Sequence, residues 1–196
     1  MTPELRSFIE DLYAKGREFD QAEPDWSRRW RNIDPPVGEF LWILIKAIKA
    51  KEVLELGTSN GYSTIWLADA VRDNQGKLVS VDFDKELINL AQSNLDAAGI
   101  SDVVELRCCE AGSLLSDLPD MSIDALFLDA ERSDYAGWWP HPERVLRRGG
   151  VLIADNMTSH PEELATLYEQ IQSSGVFSTA VVPVGKGELV AVRDLG

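Results

Sequence analysis

The run Val53-Leu54-Glu55-Leu56-Gly57-Thr58-Ser59-Asn60-Gly61-Tyr62-Ser63-Thr64 constrains the fold more than any other stretch of this chain. Its first half is a short apolar segment, which reads as a buried strand. The segment breaks at Gly57 and Gly61, with small polar residues between them, and Ile65, Trp66, Leu67, Ala68 and Ala70 then resume at helical spacing. A strand, a glycine loop and a helix in that order open a nucleotide-binding α/β sheet.

The loop also limits what it can bind. Glycine admits a ligand where a Cβ would collide, and a helix start just beyond offers unpaired N–H groups and the positive end of a dipole. The spacing is Gly-x-x-x-Gly rather than the Gly-x-Gly-x-x-Gly of dinucleotide folds, and no Gly-Lys-Ser/Thr follows. Glu55, at the strand end, would repel a phosphate and suit a cation. S-adenosylmethionine, with a sulfonium, an amino group and no phosphate, fits the loop best.

Composition excludes other classes. A chain of 196 residues, 44% hydrophobic, suits one domain with a sizeable core. A formal charge of −14 argues against nucleic acid, whose phosphates require a basic face. Cys108 and Cys109 are adjacent and lack metal-type spacing, which points to a reducing cytoplasm. The N-terminus lacks a signal peptide's order of basic then apolar residues. Phe40 to Ala50 is too short and too charged to span a membrane.

In chain order, Thr2 and Pro3 open a helix to about Phe19, with Leu5, Phe8, Ile9, Leu12 and Tyr13 on one face. Residues 1–36 therefore read as this helix followed by an irregular, lid-like segment. Within it Trp26, Trp30 and Ile33 either pack or form part of a lid, and tryptophan's buried area favours packing. A second helix covers Gly38 to Ala50. Beyond the glycine loop come a strand at Lys77–Asp82, a helix at Lys85–Ala98 capped by Asp84 and Gly99, and a strand at Val103–Arg107. Asp82 closes its strand about 20 residues past Gly61, where such folds set an acid against ribose hydroxyls. A short turn, Cys109-Glu110-Ala111-Gly112, flanks the adenine position, and Glu110 can equally be plain surface.

Two further strands carry the candidate chemistry. One ends in Asp129 (Ile123–Asp129), the other in Asp155 and Asn156 (Gly150–Asn156). Ligands of an open parallel sheet bind beyond the carboxyl ends of its strands. Two carboxylates and an amide oxygen there form an oxygen set suited to Mg²⁺, Mn²⁺ or Ca²⁺. Each residue alone would be an ordinary turn residue; their convergence beside a cofactor loop favours the metal.

From Ile33 to Arg193 the chain resembles the metal-dependent small-molecule O-methyltransferases, meaning the catechol and caffeoyl-CoA enzymes and their bacterial relatives. The likeness rests on Ile33-Asp34-Pro35-Pro36-Val37-Gly38-Glu39-Phe40-Leu41, VLELGTSNGYST, VSVDFD, FLDAERSDY, Leu146-Arg147-Arg148-Gly149-Gly150 running into VLIADN, and the hairpin-like Gly187–Val192. It implies a class I S-adenosylmethionine-dependent methyltransferase fold: a Rossmann-like seven-stranded sheet, mostly parallel, with helices on both faces. By motif position, Glu55, Gly57, Ser59, Gly61 and Ser63 hold the methionine end of the cofactor. Asp82 takes the ribose, and Phe83, Ala111 and Gly112 surround the adenine. Asp129, which also borders the cofactor, falls with Asp155 and Asn156 on the metal ligands. Such a metal binds two neighbouring substrate oxygens and lowers the hydroxyl pKa.

One position departs from the family. Where a lysine usually follows the first metal-ligand aspartate, this chain has Arg132, which steers anions but stays protonated. His160 is an alternative proton acceptor, although a plain helix start before Pro161 is the stronger reading. Tyr135, Trp138 and Trp139 either wall an aromatic acceptor or pack in the core. Three functions stay open. The first is a metal-assisted O-methyltransferase on a small, aromatic hydroxyl acceptor; the second is a metal-independent methyltransferase of the same fold. The third, disfavoured by the glycine spacing, is a nucleotide-binding oxidoreductase or module. A homodimer is compatible with the N-terminal tryptophans.

Overall fold

A computed structural model describes residues 1–196. Helix α1 (Pro3–Ala22) starts where Thr2 accepts the Leu5 amide, and a 3₁₀ turn at Trp26–Arg28 leads to α2 (Pro35–Ala47). Then follow β1 (Glu52–Leu56), α3 (Tyr62–Asp73), β2 (Lys77–Asp82), α4 (Lys85–Ala98), β3 (Val104–Cys108), α5 (Ala111–Asp117) and β4 (Ile123–Leu128). The chain ends with the short α6 (Arg132–Tyr135) and α7 (His141–Val145), then β5 (Leu146–Ala154), α8 (Pro161–Ser174), β6 (Phe177–Val182) and β7 (Glu188–Arg193). The seven strands lie in the order β3-β2-β1-β4-β5-β7-β6. Strands β1 to β5 pair in parallel, and β7 is antiparallel to both its neighbours. This is the mostly parallel α/β sheet the resemblance implies.

Alternation along the strands divides the core, because successive side chains point to opposite faces. Val53, Ala125, Phe127, Val151 and Ile153 join α1, α2 and α3 on one side. Leu54, Leu56, Leu126, Leu128, Leu152 and Ala154 join α5 to α8 on the other. Covered on both faces, β4 is buried throughout, as a central parallel strand requires.

Several elements differ from the sequence expectation. Helix α2 starts at Pro35, since proline suits a first helical turn, and ends by Ala47. The expected turn at Cys109–Gly112 is the start of α5: Glu110 is its N-cap and accepts from the amides of Gly112 and Ser113. Strand β5 begins at Leu146 rather than Gly150. Asp84 and Gly99 cap α4 as expected. Cys108 and Cys109 are free thiols, and no helix is long and apolar enough to cross a membrane.

Candidate functional site

The glycine loop is shaped by what presses on it. Gly57 has φ +108°, and a Cβ there would collide with the backbone of Asp129 and Ala130. The loop therefore shares a wall with the end of β4. Gly61, at φ +85°, lies against Ala91 of α4 and precedes the first residue of α3. Ser59 is itself left-handed, donates its amide to Asp82 at 2.9 Å and its hydroxyl to the Trp30 carbonyl at 3.0 Å. The first bond ties the loop to the end of β2. The second lays the N-terminal segment across it.

That segment is anchored. The Asp20 carboxylate accepts the amides of Trp30 and Arg31, and Trp30 stacks on Phe19 with ring centroids 4.3 Å apart. Trp30 and Ile33 thus pack, whereas Trp26 is 62% exposed beneath the guanidinium groups of Arg29 and Arg31. Asp82 also accepts the Asp84 amide, and the side chain of Phe83 projects outward, 83% exposed. Ala111 and Gly112 lie half-buried at the start of α5, and a Cβ on Gly112 would press on Trp138.

Glu55 is fully enclosed under the loop and accepts from the hydroxyls of Ser63, Thr64 and Ser80, each at 2.6 Å. It braces the start of α3 from below, and Ser63 is turned onto it. Burial pushes the Glu55 carboxyl up to about 7, against the pull of the three hydroxyls. The unfolded chain ionises this group near 4.5, so between there and 7 the unfolded state sheds its proton first. Apo-protein stability should accordingly fall with rising pH across that window, by on the order of 3 kcal/mol from this group, and level off above it. Urea melts from pH 5 to 8 on the wild type and Glu55→Gln test this. The variant should be shallower below about pH 7 by the share that Glu55 supplies, the other raised acids keeping the remainder, and an equal slope in both proteins would assign it elsewhere.

At the neighbouring strand ends the acids form a row. The Asp129 amide bonds the Leu56 carbonyl at 2.9 Å and the Asp155 amide bonds the Leu128 carbonyl at 3.2 Å, so the ladder runs one residue past each strand. Asp129 and Asp155 therefore continue the face of Phe127 and Ile153, as Glu55 does that of Val53. Loss of surrounding water, then repulsion from Asp155 and Glu55, holds the Asp129 carboxyl well above the usual carboxylate range, with Arg31 and Lys186 opposing. Asp155 is buried and accepts both the amide and the side-chain Nδ2 of Asn156, each at 2.7 Å. Asn156 adopts φ +74°, which asparagine tolerates. No three Asp, Glu, His or Cys side chains already converge on one point at ligand range. The donor set is nonetheless all oxygen with excess negative charge, which suits a hard divalent cation.

Beyond Asp129, the Tyr135 hydroxyl accepts the Ala130 amide at 2.8 Å and donates to the Ala130 carbonyl, fixing the loop. Tyr135 and Trp138 are buried, and Trp139 packs near Phe177. These aromatics serve the core. Arg132 pairs with Glu163 at 2.7 Å. His160 is the N-cap residue of α8, yet its ring makes no cap bond; its Nδ1 lies 2.8 Å from the Ser159 hydroxyl, which also donates to Asn156 Oδ1 at 3.2 Å. His160 is thus a helix-start residue linked through Ser159 to Asn156.

Arg31 and Lys186 lie in no motif, and Glu188 lies in the hairpin-like Gly187–Val192 segment without being marked there as a site residue. Glu188 opens β7, a strand whose apolar alternation reads as core, and it is completely buried. Only the pairing of β7 with β5 brings it to the acids.

A sequence model described as O-methyltransferase matches residues 15–173. A catechol O-methyltransferase of Niastella koreensis is 36% identical over 129 residues, covering 64% of this chain and 58% of that protein. A catechol O-methyltransferase of Mycobacterium tuberculosis is 33% identical over 161 residues, covering 76% of this chain and 73% of that one. The Bacillus cereus O-methyltransferase, solved in complex with SAH, superposes with a TM-score of 0.81 at 25% identity over 96% of this chain and 91% of that one. TomG from Streptomyces achromogenes, an O-methyltransferase solved with SAM, gives 0.79 at 26% identity over 99% and 91%. With this sheet order, a glycine loop pressed on an acidic strand end, and these relatives, the chain belongs to the S-adenosylmethionine-dependent O-methyltransferase family.

Proposed function

We propose that the protein transfers a methyl group from S-adenosylmethionine to a hydroxyl of a small, aromatic acceptor that presents two neighbouring oxygens to a divalent cation, Mg²⁺ first among the candidates. The observation that carries this reading is the contact of Gly57 with the Asp129 backbone, which makes one wall serve the cofactor loop and the acid row. Gly57 and Gly61 leave room for the methionine end, Ser59 and Ser63 offer hydroxyls near it, and Asp82 offers its carboxylate to the ribose. Phe83, Ala111 and Gly112 border the adenine. Asp129, Asp155 and Asn156 would hold the cation, which supplies charge that lowers the pKa of an acceptor hydroxyl. The shared wall sets acceptor and methyl donor for in-line attack, the largest gain that positioning alone gives. The segment ending in Trp30 and Arg31 acts as a lid over the loop. The free thiols of Cys108 and Cys109 support a reducing compartment such as the cytoplasm.

Arg132 is held by Glu163 and stays charged, so it steers an anionic oxygen rather than accepting a proton. His160, joined through Ser159 to Asn156, is the candidate acceptor for the hydroxyl proton. His160→Ala should lower kcat at least about tenfold and alter the acidic limb of its pH profile, with the KM for S-adenosylmethionine little changed. Full turnover with the wild-type profile would remove His160 from the reaction.

The first test is a thermal-shift series with S-adenosylhomocysteine, repeated with Mg²⁺ and with EDTA. A ligand that binds only the folded state raises its apparent stability, by about 2.7 kcal/mol at a hundred times Kd. The cofactor product should raise Tm alone, and Mg²⁺ should raise it further in an EDTA-sensitive way. A response to S-adenosylhomocysteine but not to metal would leave the metal-independent reading. No response at saturation would overturn the cofactor assignment.

A further inference from the structure

Glu188 is 0% exposed, and neither of its carboxylate oxygens has a hydrogen-bond partner. A carboxylate taken from water without a partner is among the costliest groups a core can hold. Its position is set by the sheet. Strands β5 and β7 pair antiparallel with Ile153 opposite Val190 and Ala154 opposite Leu189. One further step sets Glu188 opposite Asp155, and the Met157 amide, bonded to the Gly187 carbonyl at 2.8 Å, closes the two chains just beyond. Leu189 packs with Ala154 in the core of the α5–α8 side, so the alternation turns Glu188 to the other face, shared by Asp155 and Asp129. Three acids thus cross the adjacent strands β4, β5 and β7 in one row, at a backbone spacing of about 4.8 Å. Burial, and then the charges of Asp155 and Asp129, hold the Glu188 carboxyl far above its usual range.

We propose that Glu188 is an additional carboxylate ligand of the divalent cation, beside Asp129, Asp155 and Asn156. The inference rests on the metal reading of that site. A cation would partner the two orphaned oxygens and offset the mutual repulsion of the row, and the reach of three flexible acid side chains lets them close on one ion by rotation about their own bonds. An apolar side chain would serve the core better if packing were the sole duty of this position. The acid is explained by a charge that it meets.

The test is direct cation binding in the absence of acceptor. Free Mn²⁺ is followed by its electron paramagnetic resonance signal while the wild type, Glu188→Gln and Glu188→Leu are titrated, and Tm is recorded in EDTA and in excess Mn²⁺. Both variants should bind Mn²⁺ at least tenfold more weakly and lose most of the metal-induced rise in Tm. Their Tm in EDTA should equal or exceed that of the wild type, because a buried acid is gone, and their Tm shift with S-adenosylhomocysteine should be unchanged. A structural role alone would lower Tm in EDTA and leave the Mn²⁺ affinity intact, and that result overturns the proposal while keeping the metal site. Absence of Mn²⁺ binding by the folded, S-adenosylhomocysteine-responsive wild type overturns both. The leucine variant keeps the test open should the glutamine variant misfold.

Discussion

A Gly57→Ala variant is expected to lose its response to S-adenosylhomocysteine and about 3 kcal/mol or more of stability. Two penalties coincide at this position. The backbone sits at φ +108°, which an L side chain rarely adopts, and the added methyl would meet the Asp129 carbonyl and the peptide beyond it. Backbone cannot swing aside as a flexible side chain can, so either the loop or the end of β4 must move. Moving the loop displaces Ser59 from Asp82 and from the Trp30 carbonyl. Gly99 supplies the control: it is also left-handed, at φ +67°, but nothing lies within 4 Å of where a Cβ would stand. Gly99→Ala should cost only about 1 kcal/mol and leave ligand binding intact. Urea melts and calorimetric titration with S-adenosylhomocysteine check both. Wild-type stability and affinity in Gly57→Ala would show that the loop and the acid strand do not share a wall.

The second large effect is expected from Asp129→Asn combined with Asp155→Asn. Turnover should fall at least about a thousandfold, since the charge that activates the acceptor hydroxyl would have no anchor. Divalent-metal binding should vanish, while the response to S-adenosylhomocysteine remains measurable because the glycine loop is untouched. The same change removes two mutually repelling acids, so the double variant should melt no lower than the wild type in EDTA. Unchanged Mg²⁺ or Mn²⁺ affinity would sink the metal assignment. Activity that survives both the substitution and chelation would move the protein to the metal-independent reading. A loss of folding would be informative too, since it would mean that the acids help hold the strand ends together through contacts such as Asp155 with Asn156.

Both predictions reflect how the site divides labour. The cofactor side is built from backbone: glycines that leave room, and amides at the loop that Asp82 and Asn60 hold in place. The side proposed for the acceptor is lined by side-chain charge at strand ends, with few internal donors to neutralise it. Glu55 lies between the two and belongs to neither: its oxygens are taken by Ser63, Thr64 and Ser80. Its sequence position suggests a direct partner for a cationic ligand. In the fold its carboxylate is enclosed and braces the hydroxyls and the helix start above it.

What could be read from the sequence follows the range of the forces involved. The strand, loop and helix at Val53–Thr64, the caps of α4 and the strands ending in Asp82 and Asp129 depend on neighbours a few residues away, and periodicity and capping chemistry reveal them. So does the pairing of oxygen-bearing residues with strand ends. Local sequence does not mark the start of α5, because Glu110 acts as its N-cap and lies outside the residue types that usually do so. Tyr135 and Trp138 were ambiguous because an aromatic residue suits a pocket wall and a core equally until its neighbours are known. Glu188 lies in the Gly187–Val192 segment, but nothing local gives it a role. Alternation says that it faces opposite to Leu189, but not which strand lies beside it, and a register fixed by pairing between segments distant in sequence is decided only when the sheet assembles. The chain by itself therefore determined most of the elements and which side chains stand at their ends. The tertiary structure alone decided that Glu55 is enclosed and that Asp129, Asp155 and Glu188 stand in one row, because only long-range strand order sets which charges must share a space.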